Sequence, residues 1–138
     1  MRFLDTNVFL RYLTRDDPVK AAACYKLFQR LQSGDEQATT CEAIITEIVY
    51  VLSARSHYGL LPPEIRARLA PILALRGLRL PHKRMYLRAL DLYATYPRLD
   101  FEDVLIIAQM ERAGERELYS YDTDFDGIPA VIRTEPAP

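Results

Sequence analysis

Four acidic residues carry the chemistry open to this sequence: Asp5, Glu47, Asp103 and Asp122. Asp5 ends the apolar stretch around Phe3-Leu4, and Asp122 follows Glu117 to Tyr121, so both stand where a short strand would stop. Asp103 opens the apolar run Val104-Leu105-Ile106-Ile107-Ala108. Glu47 shares a helical face with Ala43, Tyr50, Val51 and Ala54. A lone charge there is costly unless it is paired, at a rim or bound to a cation. Carboxylates that converge without compensation repel and hold their protons more tightly, so a dense acidic mouth implies a cation. All-oxygen donors, with no His or Cys among them, select Mg²⁺ or Mn²⁺ over zinc. Such an ion lowers the pKa of bound water and neutralises charge on a phosphoryl group.

Each acid also has an ordinary structural account. Asp5 suits the N-cap of the helix that follows it. Asp100 and Asp103 suit the cap and third position of the next apolar helix, where negative charge meets the positive end of the dipole. Asp122-Thr123-Asp124-Phe125-Asp126-Gly127 opens like a calcium loop, but Arg133 occupies the twelfth position, where a bidentate Glu is needed. That loop therefore fails, leaving Asp122 at the site, Asp124 beside it and Phe125 packing the turn. Thr6 and Asn7 could orient a neighbour through a hydroxyl and an amide.

Short strands alternating with helices must position these groups. Phe3-Leu4 ends a first strand, and Thr6 to Leu13 has helical spacing. Asp17-Pro18 starts a second helix, running to about Gln32 before Ser33-Gly34-Asp35. Gln37 to Thr40 reads as a strand, residues 41–53 as the helix bearing Glu47, and Pro63 to Leu75 as another helix. Leu78 to Leu80 is a third short strand; Pro81 to Tyr96 and Phe101 to Ala113 are helices. Glu117 to Tyr121 and Ala130 to Arg133 complete the strands. The pattern predicts an α/β fold, a three-layer α/β/α sandwich around a short, mainly parallel sheet. Ligands of such sheets bind at the carboxyl ends of the strands, where Asp5 and Asp122 fall.

Length and composition predict one domain over residues 1–138, with about 134–138 a loose tail. No apolar run reaches the roughly 20 residues that cross a bilayer, and Asp5 and Asn7 interrupt any secretory core. Cys24 and Cys41 lack metal-ligand spacing and read as buried free thiols in a reducing cytoplasm. The net charge of −1 announces no nucleic-acid binder. Yet 15 of the 18 basic residues are Arg, which suits bidentate phosphate contacts. Arg76, Arg79, Lys83, Arg84 and Arg88 form the one locally basic stretch, a candidate RNA contact or simply a solvated face.

Leu4-Asp5-Thr6-Asn7-Val8, Glu47 in Ile45-Thr46-Glu47-Ile48-Val49, Asp100-Phe101-Glu102-Asp103-Val104 and Ser120-Tyr121-Asp122-Thr123-Asp124-Phe125 occur in an order that resembles the PIN-domain family, most closely its small VapC-type toxins. The resemblance spans essentially the whole chain. Ser120 departs from the Thr common at its position but keeps the hydroxyl. The resemblance implies a Mg²⁺- or Mn²⁺-dependent endoribonuclease with Asp5, Glu47, Asp103 and Asp122 as catalytic acids and metal ligands. It makes Asp124 an accessory ligand, with Thr6, Asn7, Asp100 and Ser120 in support. It also implies a VapB-type antitoxin and a homodimer. A catalytically silent PIN-fold module that binds RNA or protein is the alternative. A phosphatase acting on small substrates is a third reading.

Overall fold

The structure is a computed structural model describing all residues from Met1 to Pro138. It alternates short strands with helices. Strand β1 is Arg2–Phe3, followed by helices α1 (Thr6–Thr14) and α2 (Pro18–Ser33) and strand β2 (Ala38–Thr39). Helices α3 (Glu42–Ser53), α4 (Pro62–Leu73), α5 (Lys83–Thr95) and α6 (Phe101–Ala113) come next. Strand β3 (Glu117–Tyr119), a single 3₁₀ turn at Thr123–Phe125 and strand β4 (Ile132–Thr134) finish the chain.

Local chemistry accounts for most of these limits. Asp17 Oδ1 accepts the Lys20 N–H at 3.1 Å, and Pro18 supplies a preset φ for the first turn of α2. Gly34 ends that helix at φ 84°, a left-handed conformation that costs glycine little. Asp100 and Asp103 form a reciprocal capping box at α6, with bonds of 2.9 and 3.2 Å. Helix α3 buries Ile45, Ile48, Val49 and Leu52, one stripe at helical period. Helices α5 and α6 pack on each other, joined at one end by the perpendicular rings of Tyr93 and Phe101, 5.7 Å apart.

Both strand pairs are parallel, as expected: Arg2 opposite Ala38, and Leu118 opposite Arg133. Helices around short parallel strands give an α/β fold consistent with a three-layer α/β/α sandwich. The sheet, however, is divided. β1–β2 forms one two-stranded sheet and β3–β4 another, with no ladder between β1 and β3. The strand expected over Leu78 to Leu80 shrinks to one bridge, Leu78 with Ala38. There the chain is held instead by Gly77, whose N–H donates to Leu31 O at 2.7 Å and whose C=O accepts from Ala38 at 3.0 Å. A Cβ at Gly77 would lie 2.4 Å from Glu36 O and 2.5 Å from Leu31 O, so only glycine fits.

On the β1–β2 sheet, Leu4, Ala38 and Leu78 point into the core while Phe3 points to solvent. The expectation of buried thiols needs correcting. Both cysteines are free, but Cys24 is half-buried and Cys41 is exposed at the start of α3. A residue ahead of the first helical turn projects away from the stripe that α3 buries.

Candidate functional site

Asp5 lies just beyond β1 and caps α1, its Oδ1 accepting the Thr6 N–H at 2.8 Å. Thr6 is buried, and its hydroxyl donates to Glu47 Oε2 at 2.7 Å, tying α1 to α3 across 41 residues of sequence. Thr40, also buried, donates its hydroxyl to Leu4 O at 3.1 Å and fixes the end of β1. Asp5, Asn7 and Glu47 are all exposed. Glu47 thus takes the rim position, with Thr6 rather than an arginine as its partner. These groups form the first half of the site.

The second half lies where α6 begins and β3 ends. Asp122 receives its own N–H bond from the turn, accepting Asp124 N–H at 2.9 Å, while its amide donates to Ser120 Oγ at 3.0 Å. Ser120 therefore supports Asp122, and the buried Phe125 ring anchors the turn. Asp124 is exposed, and its carbonyl, not its carboxylate, is held, by Arg98 Nε at 2.9 Å. Asp103 is partly buried, and desolvation pushes its carboxyl up to about 6, with the charges of Asp100 and Asp122 adding to the effect. Asp122 is thus near enough for its charge to act on Asp103.

Two arginines that the sequence left without a site role brace this half. Arg98 also donates to Asp126 O at 2.6 Å. Arg133 bonds Asp126 Oδ1 at 2.7 Å and Ser120 O at 3.0 Å, and the hydrogen bond from Arg133 holds the Asp126 carboxyl below its ordinary range. The position that disqualified a calcium loop is the cation that pins it. No local pattern marks Arg98, whose partners are 26 and 28 residues away.

The structure contains no group of three or more His, Cys, Asp or Glu side chains placed to hold a metal ion. The donors suit Mg²⁺ or Mn²⁺ in kind, and Asp5, Glu47, Asp103 and Asp122 are the residues that would hold such an ion.

The basic stretch is partly spent on the fold. Lys83 Nζ donates to Leu75 O at 2.8 Å, and burial lowers its pKa, with Arg79 adding to the shift. Arg88 forms a two-bond pair with Glu111 at 2.9 and 3.1 Å, which neutralises it. Arg79 and Arg84 are exposed and make no ion pair, and Arg76 lies against Gly34. A pocket of about 660 Å³ beside Lys83, Arg84 and Arg88 adds Arg112 from α6. It sits at the far end of α6, about 13 Å along the helix from Asp103. The larger surface pockets, including one of about 580 Å³ between α1 and α2, contain none of the four acids.

No helix is long and apolar enough to cross a membrane. Comparison with curated proteins gives no match. The profile of the family described as PIN domain matches residues 2–131. That span takes in all four acids and every strand but β4, and the chain belongs to the PIN domain family.

Proposed function

We propose that this chain is a Mg²⁺- or Mn²⁺-dependent endoribonuclease, the toxin of a VapBC-type pair, neutralised by a VapB-type antitoxin and working in the cytoplasm. PIN domains are generally metal-dependent nucleases, which supports hydrolysis of a nucleic acid. The observation that carries the reading is the retention of Asp5, Glu47, Asp103 and Asp122 together with dedicated hydroxyls. Thr6 holds Glu47, and Ser120 holds the Asp122 turn. A protein without a reaction to run gains nothing from a carboxyl such as Asp103, which desolvation pushes up to about 6.

In the proposed reaction a water oxygen adds to phosphorus, the P–O ester bond breaks, and the leaving oxygen takes up a proton. Thr6 and Ser120 position carboxylates. Asp100 holds Asp103 through the capping box, and Asn7 and Asp124 lie beside the acids. Arg79 and Arg84 are the residues of the basic stretch best able to meet substrate phosphates, since Lys83 and Arg88 are already engaged.

A second reading is a PIN-fold module that binds RNA or protein without cutting. It is favoured by one observation, the lack of a complete metal group within a single chain. One experiment separates the two. The purified chain is incubated with total RNA in Mg²⁺ or Mn²⁺, with EDTA and Asp103→Asn controls. Discrete new ends, lost in both controls, are expected for the nuclease. Intact RNA that is nevertheless bound would establish the module.

A further inference from the structure

The start of α5 and the last turns of α6 enclose a cavity that the four acids do not line. It holds about 660 Å³, with His82, Lys83, Arg84 and Arg88 on one side and Glu111 and Arg112 on the other. Four cations therefore meet one carboxylate, in a chain whose net charge is only −1. That carboxylate is already committed, since Glu111 takes two bonds from Arg88 at 2.9 and 3.1 Å. Lys83, Arg84 and Arg112 have no ion-pair partner.

A solvated helix face does not require this arrangement. The cations converge from two helices on one concavity, and Arg112 lies outside the basic stretch of the sequence. Their mutual repulsion is felt: burial lowers the Lys83 pKa, and the charge of Arg79 lowers it further. Helix α5 adds to the penalty. Its first turn holds Lys83 and Arg84 and no acid, and no side chain caps its amides. The positive end of a helix dipole disfavours cations there. Arg112 stands in the last turn of α6, where the dipole favours it; Lys83 and Arg84 have no such account. An anion in the cavity offsets every one of these penalties together.

The donors narrow the anion. A guanidinium presents paired N–H groups that match the oxygens of a phosphate. Lys83, bonded to Leu75 O at 2.8 Å, and Arg88, bonded to Glu111, are fixed walls before anything binds. Arg84 and Arg112 are exposed and free to close on a ligand. So much uncompensated positive charge suits a multiply charged group better than a lone carboxylate.

We infer that the cavity between α5 and α6 is a phosphate-binding site, with Arg84 and Arg112 as its principal ligands and Lys83 adding charge. Two sources carry that group. One is an RNA strand engaged at the acidic corner, about 13 Å along α6; the other is a free phosphorylated small molecule. The first source rests on the nuclease reading, whereas the site itself does not.

The test begins with the metal-free chain in EDTA, titrated with inorganic phosphate at low ionic strength and followed by NMR. Saturable shifts should centre on residues 82–88 and 108–112. Arg84→Ala combined with Arg112→Ala should weaken binding about tenfold or more, with the fold kept because both side chains are exposed. Arg68→Ala, which removes an exposed arginine from α4, should leave binding unchanged. No saturation, or equal affinity in the double variant and wild type, overturns the site.

A single-stranded RNA of about a dozen nucleotides then separates the sources, its binding to the Asp103→Asn chain measured in EDTA. If the strand fills the cavity, the double variant should lose about tenfold or more in affinity, and the salt dependence should flatten by a slope of about 1–2. RNA affinity unchanged by substitutions that abolish phosphate binding assigns the cavity to a free phosphorylated ligand. RNA that binds through the cavity, yet stays uncut by wild type in Mn²⁺, keeps the site and removes the nuclease reading.

Discussion

Replacing Asp103 by Asn should stabilise the metal-free protein at alkaline pH, by an amount that vanishes in acid. Desolvation, reinforced by Asp100 and Asp122, pushes the Asp103 carboxyl from an ordinary 3.8 to about 6. Below the ordinary value the group is neutral whether the chain is folded or not, and its charge affects nothing. As the pH rises through about 6 the folded chain must ionise it in a poor environment, and stability falls by an amount retained at higher pH. Fully felt, the difference is worth about 3 kcal/mol. Asp103 keeps part of its surface in water, and screening reduces this to about 1 kcal/mol. For a chain of this size that is about 3 °C in Tm. Asn retains an oxygen for the Asp100 N–H, now 3.2 Å from Asp103 Oδ2, so the capping box is not the quantity tested. Thermal unfolding with EDTA at about pH 8, 6 and 3.5 should show the variant ahead at the first, less so at the second and level at the third. Equal stability at alkaline pH, or an advantage that grows in acid, would refute the electrostatic account of this corner.

Gly77→Ala should cost about 3 kcal/mol or more, or prevent folding, because its Cβ would meet the carbonyls of Glu36 and Leu31 with no side chain able to yield; urea unfolding measures it. Thr6→Val keeps the buried shape but loses the 2.7 Å bond to Glu47. It should cost about 1 kcal/mol in the same assay, and a neutral result would mean that water replaces the hydroxyl. Ile48→Ala empties a fully buried site on α3 and should cost about 2–5 kcal/mol, whereas the same change at the exposed Ile106 should stay near zero.

Helix limits were legible because their causes lie within a few residues. Asp17-Pro18 started α2 and Asp100 started α6, since caps bond to amides three positions away. The apolar periods of α3 and α6 marked their buried faces for the same reason. The order of the four acidic motifs was equally readable and led to the family before any geometry was known. The Thr6 hydroxyl was expected to orient a neighbour, and that neighbour proved to be Glu47.

The tertiary structure decided what depends on meetings between distant parts of the chain. Arg88 looked available for phosphate until Glu111, 23 residues on, neutralised it. Leu78 to Leu80 had the composition of a strand, but Gly77 and α2 hold the segment so that only Leu78 bridges to Ala38. Above all, sequence alone determined which carboxylates this protein keeps and which strand or helix end carries each. Whether those ends meet is set by strand pairing, a long-range choice with no local signal. Here that choice pairs β1 with β2 and β3 with β4, each in parallel register.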